Sequence, residues 1–184
     1  LEAQALLIPV EPGSAPGGWL RLSRRAHKYL DVETFVPFIV VRRLDRMLLH
    51  EAIRAPVWGA FIRGHFEVAT LVALKAVEVA VYEAVRPVEK IYGNTLIAKA
   101  FDETAGALTD FNAEPQQRKA MRDLFFGAIG LHRNPLAHRP VTFDDPVEAI
   151  EIVMLANHLL RIVDRQRQRR GAGSNGATPV PLAP

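Results

Sequence analysis

Between His65 and Pro87 the chain reads HFEVATLVALKAVEVAVYEAVRP, a stretch with almost no polar side to it. Val68, Leu71, Val72, Lys75, Val79 and Tyr82 recur at the three-and-four spacing of a helix, and Pro87 stops the pattern. A helix that is apolar nearly all round has no face to offer water, so it must be enclosed by others. The stretch therefore predicts the central helix of a bundle.

The rest of the chain supplies the surrounding helices. HEAIRAPVWGAFIRG sets Ile53, Val57, Phe61 and Ile62 on one face and closes at Gly64. NTLIAKAF predicts a shorter amphipathic helix through Phe101. EPQQRKAMRDLFFGAIGLH predicts another, with Glu114 before Pro115 at its first turn. Asp145, Pro146 and Glu148 form a capping-box arrangement. The helix they open runs through EAIEIVMLANHLLRIVDRQRQRR, with cations at the end where the macrodipole favours them. The predicted fold class is all-α, a helical bundle over residues 47–170.

Residues 1–46 have a different texture. LEAQALLIPV begins helix-like and ends in a strand-like run, EPGSAPGG is a loop, and WLRLS alternates as a half-buried strand does. A helical-looking RRAHKYL follows. This order fits the wing end of a winged helix-turn-helix whose first helices are missing, or equally a hairpin packed on the main domain. Residues 171–184, GAGSNGATPVPLAP, have the composition of a flexible tail. The sequence begins at Leu1 without methionine, so the true N-terminus is expected upstream.

Composition narrows the functional classes. At 184 residues and 49% hydrophobic content the chain can form one domain with a real core. It has no cysteine, which excludes disulfides and cysteine-based metal sites and fits a reducing cytoplasm. No apolar run approaches the ~20 residues that span a bilayer, so no membrane partner is expected. No histidine pair has the spacing of a zinc site, and no Gly-rich phosphate cradle is present, so neither metal nor cofactor is expected. The net charge of +3 and pI near 9.5 lean towards anionic partners.

Polar chemistry concentrates at HRNPLAH, residues 132–138. Asn134 precedes a proline and is pushed away from helical geometry, so the helix ends or kinks there and Arg133 and His138 fall on a turn. Arginine offers a planar fork of donors suited to phosphate, and histidine exchanges a proton near neutral pH. Together they make a metal-free kit for moving a phosphoryl group. The plainer reading is a helix boundary, with Asn134 as a cap and His138 bonded to a carbonyl.

The stretches RGHFEVATLVALKAVEVAV, LIAKAF, LFFGAIGLHRNPLAH and DPVEAIEIVMLANHLLRIVD, in that order over roughly residues 48–165, resemble the Ymh family of bacterial and phage proteins. That family looks like a branch of the HEPN superfamily, which includes many RNA-cleaving toxins and antiviral defence proteins. Arg133, Asn134 and His138 match the HEPN signature of an arginine, a following polar residue and a histidine four to six positions on. The resemblance implies a dimerising helical bundle in which two such motifs meet at the interface. It implies that Arg133 grips the scissile phosphate of single-stranded RNA and His138 acts as acid or base, with Asn134 orienting one of them. One histidine per chain is half of an acid–base pair, which makes a homodimer chemically attractive.

Other polar residues carry open readings. Lys75 and Glu78 interrupt the apolar central helix, so they face a solvated interface near the motif or pair with each other. His132 and Arg139 flank the motif, where they can steer phosphate or simply face solvent. His65 is read as organising a helix start, His158 as core, and His27 and His50 carry no assignment. The RQRQRR run at 165–170 is either an attraction for nucleic acid or a solvated helix end. The competing class is a non-catalytic module that binds RNA or protein, with the N-terminal segment contacting DNA or another subunit.

Overall fold

The computed structural model describes residues 6–10, 18–24, 26–31, 35, 44–133, 143 and 146–175. In chain order the elements are β1 (Leu7–Pro9), β2 (Leu20–Leu22), 3₁₀ turns at Ala26–Tyr29 and Arg46–Leu48, then α1 (Glu51–Phe61), α2 (Phe66–Val85), α3 (Gly93–Ala100) and α4 (Pro115–Ala128). A π-helical turn, Ile129–Arg133, continues α4, and α5 (Pro146–Asn175) closes the described chain. The protein is mostly helical, with one small antiparallel hairpin.

The central position expected of the 65–87 stretch is what α2 occupies: it packs against α1, α3, α5 and the π turn. Contrary to the expectation for a helix apolar nearly all round, it is not enclosed on every side. Phe66, Ala69, Thr70, Ala73, Leu74, Val77, Glu78 and Val81 point inward. Val68 and Val79 are exposed, as is Lys75. With apolar side chains all round, periodicity does not choose a face. The choice falls to the side rich in Ala and Thr, whose small side chains let α1 and α5 approach closely.

Around α2 the core is continuous. Ile53, Val57 and Phe61 of α1 are fully buried, whereas Ile62, expected beside them, is exposed, since at about 100° per residue it falls off the stripe that the other three form. Gly64 follows at φ +76°, a conformation that favours glycine. Leu96, Ile97 and Phe101 line one side of α3, and Phe101 meets Phe125 of α4 with ring centroids 4.5 Å apart. Pro115 opens α4 as the sequence implied. Pro146 likewise opens α5, which continues past Arg170 through Asn175. The helix therefore takes in the first five residues of the segment read as tail. Asp145 lies outside the described residues.

The hairpin forms with Leu7 opposite Leu22, Ile8 opposite Arg21 and Pro9 opposite Leu20. Among the described residues, none of its side chains belongs to the bundle core. The half-buried strand expected of WLRLS is instead exposed at Leu20, Arg21 and Leu22, and Trp19 beside it is 86% exposed. A two-residue period marks a strand, but only a packing partner buries one of its faces, and the described residues provide none here.

Candidate functional site at the Arg133–Glu78 pair

Glu78 sits on the buried face of α2 and is 5% exposed. A carboxylate there is stable only if donors replace the water it has given up. Two do, from different elements. The Gly93 amide donates to Oε1 at 2.6 Å, and Arg133 Nη2 donates to Oε2 at 2.8 Å.

Each donor is positioned by local structure. Gly93 has φ +55°, a region open to glycine, and this aims the first amide of α3 at the carboxylate. An anion at that helix end is also favoured by the dipole. Arg133 is the last residue of the π turn, anchored by the fully buried Ile129. Inserting a residue into the helical ladder rotates the residues beyond it relative to a straight α4, and such turns recur at functional sites. Gly130 of the π turn faces the Asn94 amide of α3, whose Nδ2 would lie 3.4 Å from a Cβ placed there, an ordinary van der Waals contact.

The node is not fully satisfied. Arg133 Nε and Asn94 Oδ1 are both buried without a hydrogen-bond partner among the described residues, one a donor and the other an acceptor. The Arg133 side chain is 21% exposed and that of Glu78 is 6%. Glu78 thus engages the arginine through one nitrogen, tethering it while the side chain still reaches the surface. A guanidinium held this way is preorganised to receive an oxyanion.

Of the residues expected at a site, the structure brings Arg133 and Glu78 together. Lys75 lies one turn before Glu78, exposed, and is not its partner. The i, i+3 pairing of Lys75 with Glu78 is replaced by a contact 55 positions away in sequence. His132 is half-buried in the π turn beside Arg133. Asn134, His138 and Arg139 lie outside the described residues. His158, read as core, is exposed on α5, while its neighbour Asn157 is the buried one. His65 stands at the N-cap position of α2, as a helix start requires, but its side chain makes no capping bond.

A second polar cluster had no assignment. His50 caps α1: its Nδ1 accepts from the Ala52 amide at 3.2 Å, while its Nε2 lies 2.6 Å from Asp164 Oδ2. An Nδ1 that accepts leaves the proton on Nε2, facing the carboxylate. The His50 amide donates to Asn157 Oδ1 at 2.6 Å. Both ring nitrogens are committed, so the cluster latches α1 to α5. The signal for it was Asn157, a lone amide inside VMLANHLL.

What the fold and site define is a mostly helical protein in which a buried glutamate of the central helix holds an arginine at the end of a π-helical turn. The model of a family described as a protein of unknown function (Hypoth_ymh) matches residues 47–163, and the chain belongs to that family. No curated protein and no solved structure matches the chain.

Proposed function

We propose that the protein is a metal-independent endoribonuclease of the HEPN type, acting in a toxin or phage-defence setting through a composite site in a homodimer. The observation that carries this reading is the fixing of Arg133. A boundary arginine with no task belongs in solvent, yet this one is tied to a buried carboxylate at the cost of desolvating both charges. The partner, Glu78, is also the one charged residue on the buried face of α2.

In the proposed reaction Arg133 binds a non-bridging oxygen of the scissile phosphate. The His138 imidazole of one chain takes the proton from the RNA 2′-hydroxyl, whose oxygen attacks phosphorus. The P–O5′ bond breaks, and a second copy of His138 gives its proton to the leaving 5′-oxygen. The products are a 2′,3′-cyclic phosphate and a 5′-hydroxyl, and DNA, which lacks the nucleophile, is not cut. Asn134 orients the imidazole or the phosphate, and His132, Arg139 and Lys75 add positive potential around it.

The dimer draws support from the outward side of α2. Val68 and Val79 are about half exposed, with Val72 partly buried between them, and Leu131 of the π turn is 69% exposed beside Arg133. These exposed apolar side chains, with the exposed Lys75 between Val72 and Val79, suit a second copy of the same chain, which would bring two motifs together. The test is incubation of the purified protein with total RNA in EDTA, alongside light scattering. Cleavage to 5′-hydroxyl products by a dimer is expected. A folded protein that leaves RNA intact under several salt conditions would overturn the proposal.

The second reading, a non-catalytic binding module, is favoured by the hairpin. Trp19, Leu20 and Leu22 are exposed together there, and such a surface suits a protein partner. On that reading residues 1–46 are the remnant of a winged helix and the Arg133 node docks RNA without cutting it.

A further inference from the structure

Three features of α2 and its neighbours share one line. Glu78, Tyr82 and Arg86 recur at four-residue spacing, so they lie on one side of the helix, each step rising about 6 Å. Glu78 holds Arg133. One turn on, Tyr82 stacks with Tyr92, the rings 6.1 Å apart and 15° from parallel, and Tyr92 is 58% exposed. One turn further, Arg86 opens a cleft of about 610 Å³ lined also by Lys99 of α3 and Arg167 and Arg170 of α5.

The cleft is strongly basic. Its four cations face one carboxylate, Glu83, which lies 3.6 Å from Arg167. Four cations against one carboxylate give the lining a formal +3, a field that favours an anionic ligand. Three separate elements contribute the cations, whereas a solvated helix end would account for those of α5 alone.

Arg86 adds an independent mark. It closes α2 in the left-handed conformation, φ 47° and ψ 57°, and is the one non-glycine residue with positive φ among the described residues. Glycine is the residue such a cap ordinarily uses. Arg86 takes this conformation in place of glycine, with its Nε donating to the Glu83 carbonyl at 3.3 Å and its side chain lining the cleft.

We propose that Arg133, the Tyr82–Tyr92 pair and the Arg86–Lys99–Arg167–Arg170 cleft form a track for single-stranded nucleic acid. An exposed ring accepts a base by stacking, and the cations follow the phosphates, which is how strands are held without regard to sequence. The track carries substrate to the site and rests on the ribonuclease reading for its purpose, though not for its binding. It recognises base and phosphate rather than the 2′-hydroxyl, so single-stranded DNA occupies it as well.

The test uses a fluorescent 2′-O-methyl oligouridine of about a dozen nucleotides, which matches typical strand-binding sites and cannot be cleaved. Anisotropy gives affinity at several salt concentrations. Tyr92→Ala should weaken binding roughly tenfold, the scale of one missing base stack, and Tyr92→Phe should restore it. Lys99→Glu with Arg170→Glu should weaken it at least as much and flatten the salt dependence by about 0.7 for each phosphate no longer neutralised. Arg46→Glu, an exposed charge on the 3₁₀ turn before α1, should bind as the native protein does, and circular dichroism checks each fold. Unchanged binding by the Tyr92 and double variants, or none by the native chain, overturns the track. A native protein that binds through it yet cuts no RNA sinks the ribonuclease reading alone, and one that cuts while these variants bind normally sinks the track alone.

Discussion

Glu78 Oε2 lies 2.8 Å from Arg133 Nη2, joining the middle of α2 to the end of the π turn. The two partners differ in exposure, and so in what each leaves behind when its mate is removed. Arg133→Ala strands a carboxylate that is almost fully buried, with only the Gly93 amide beside it. Glu78→Ala strands an arginine that still reaches water. Arg133→Ala should therefore cost about 3 kcal/mol, the low end for breaking a buried pair, and Glu78→Ala less. Replacing both by methionine should recover most of the loss. Urea denaturation of the three variants checks the order, and equal losses would contradict the asymmetry.

The latch between α1 and α5 gives a second expectation. Asn157→Leu keeps the branched shape, at a somewhat larger volume, but removes the acceptor of the His50 amide. The Leu48 carbonyl, which also accepts from Asn157, keeps Arg161 as a donor at 2.8 Å. One stranded amide should cost about 2 kcal/mol, and faster hydrogen exchange at His50 and Ala52 should accompany it.

Two glycines should respond in opposite directions. At Gly106 an added Cβ would lie 2.5 Å from the Asp102 amide nitrogen and 2.6 Å from the Ala100 carbonyl oxygen, both backbone atoms that cannot swing away. Gly106→Ala should destabilise by about 2 kcal/mol. At Gly127, exposed in α4, nothing lies within 4 Å of such a Cβ, and Gly127→Ala should stabilise by roughly 0.5–1 kcal/mol. Thermal melting of both variants reads the signs.

Acid response should be measurable at Asp102. The Thr104 hydroxyl, and then the Thr104 and Ala105 amides, donate to its carboxylate and hold its pKa below the ordinary aspartate value. A depressed folded value means that the contribution is complete above the unfolded pKa and is lost as pH falls through the folded one. The side-chain carboxyl signal should titrate below that of an unstructured aspartate, and amide exchange at Thr104 and Ala105 should quicken over the same acid range. A titration at or above the ordinary value would contradict this.

Element order was legible because periodicity and punctuation agreed. Pro115 and Pro146 mark helix starts, Gly64 marks a stop, and Ile53, Val57 and Phe61 recur as a buried stripe should. Orientation was less so. Val and Leu stand on both sides of α2, so they do not choose between them, and the inward face is marked instead by the small residues Ala69, Thr70 and Ala73. At the site, an acidic residue in an apolar helix announced that a partner was needed, but it did not say which. Lys75 was near in sequence, and the fold delivered Arg133. Asn94 and Gly93 gave no signal, since they matter only once α3 docks against the π turn.

The most direct measurement of the central claim is cleavage of a defined RNA in EDTA by the native protein and by His138→Ala, both purified free of host nuclease and shown to be folded dimers. The expected result is cleavage to 2′,3′-cyclic phosphate ends by the native chain, with no cutting of the matching DNA, and a loss of roughly 10²-fold or more in the variant, the scale of a missing acid or base. If His138→Ala cuts RNA at the native rate, the histidine is no catalyst and the site is not a ribonuclease.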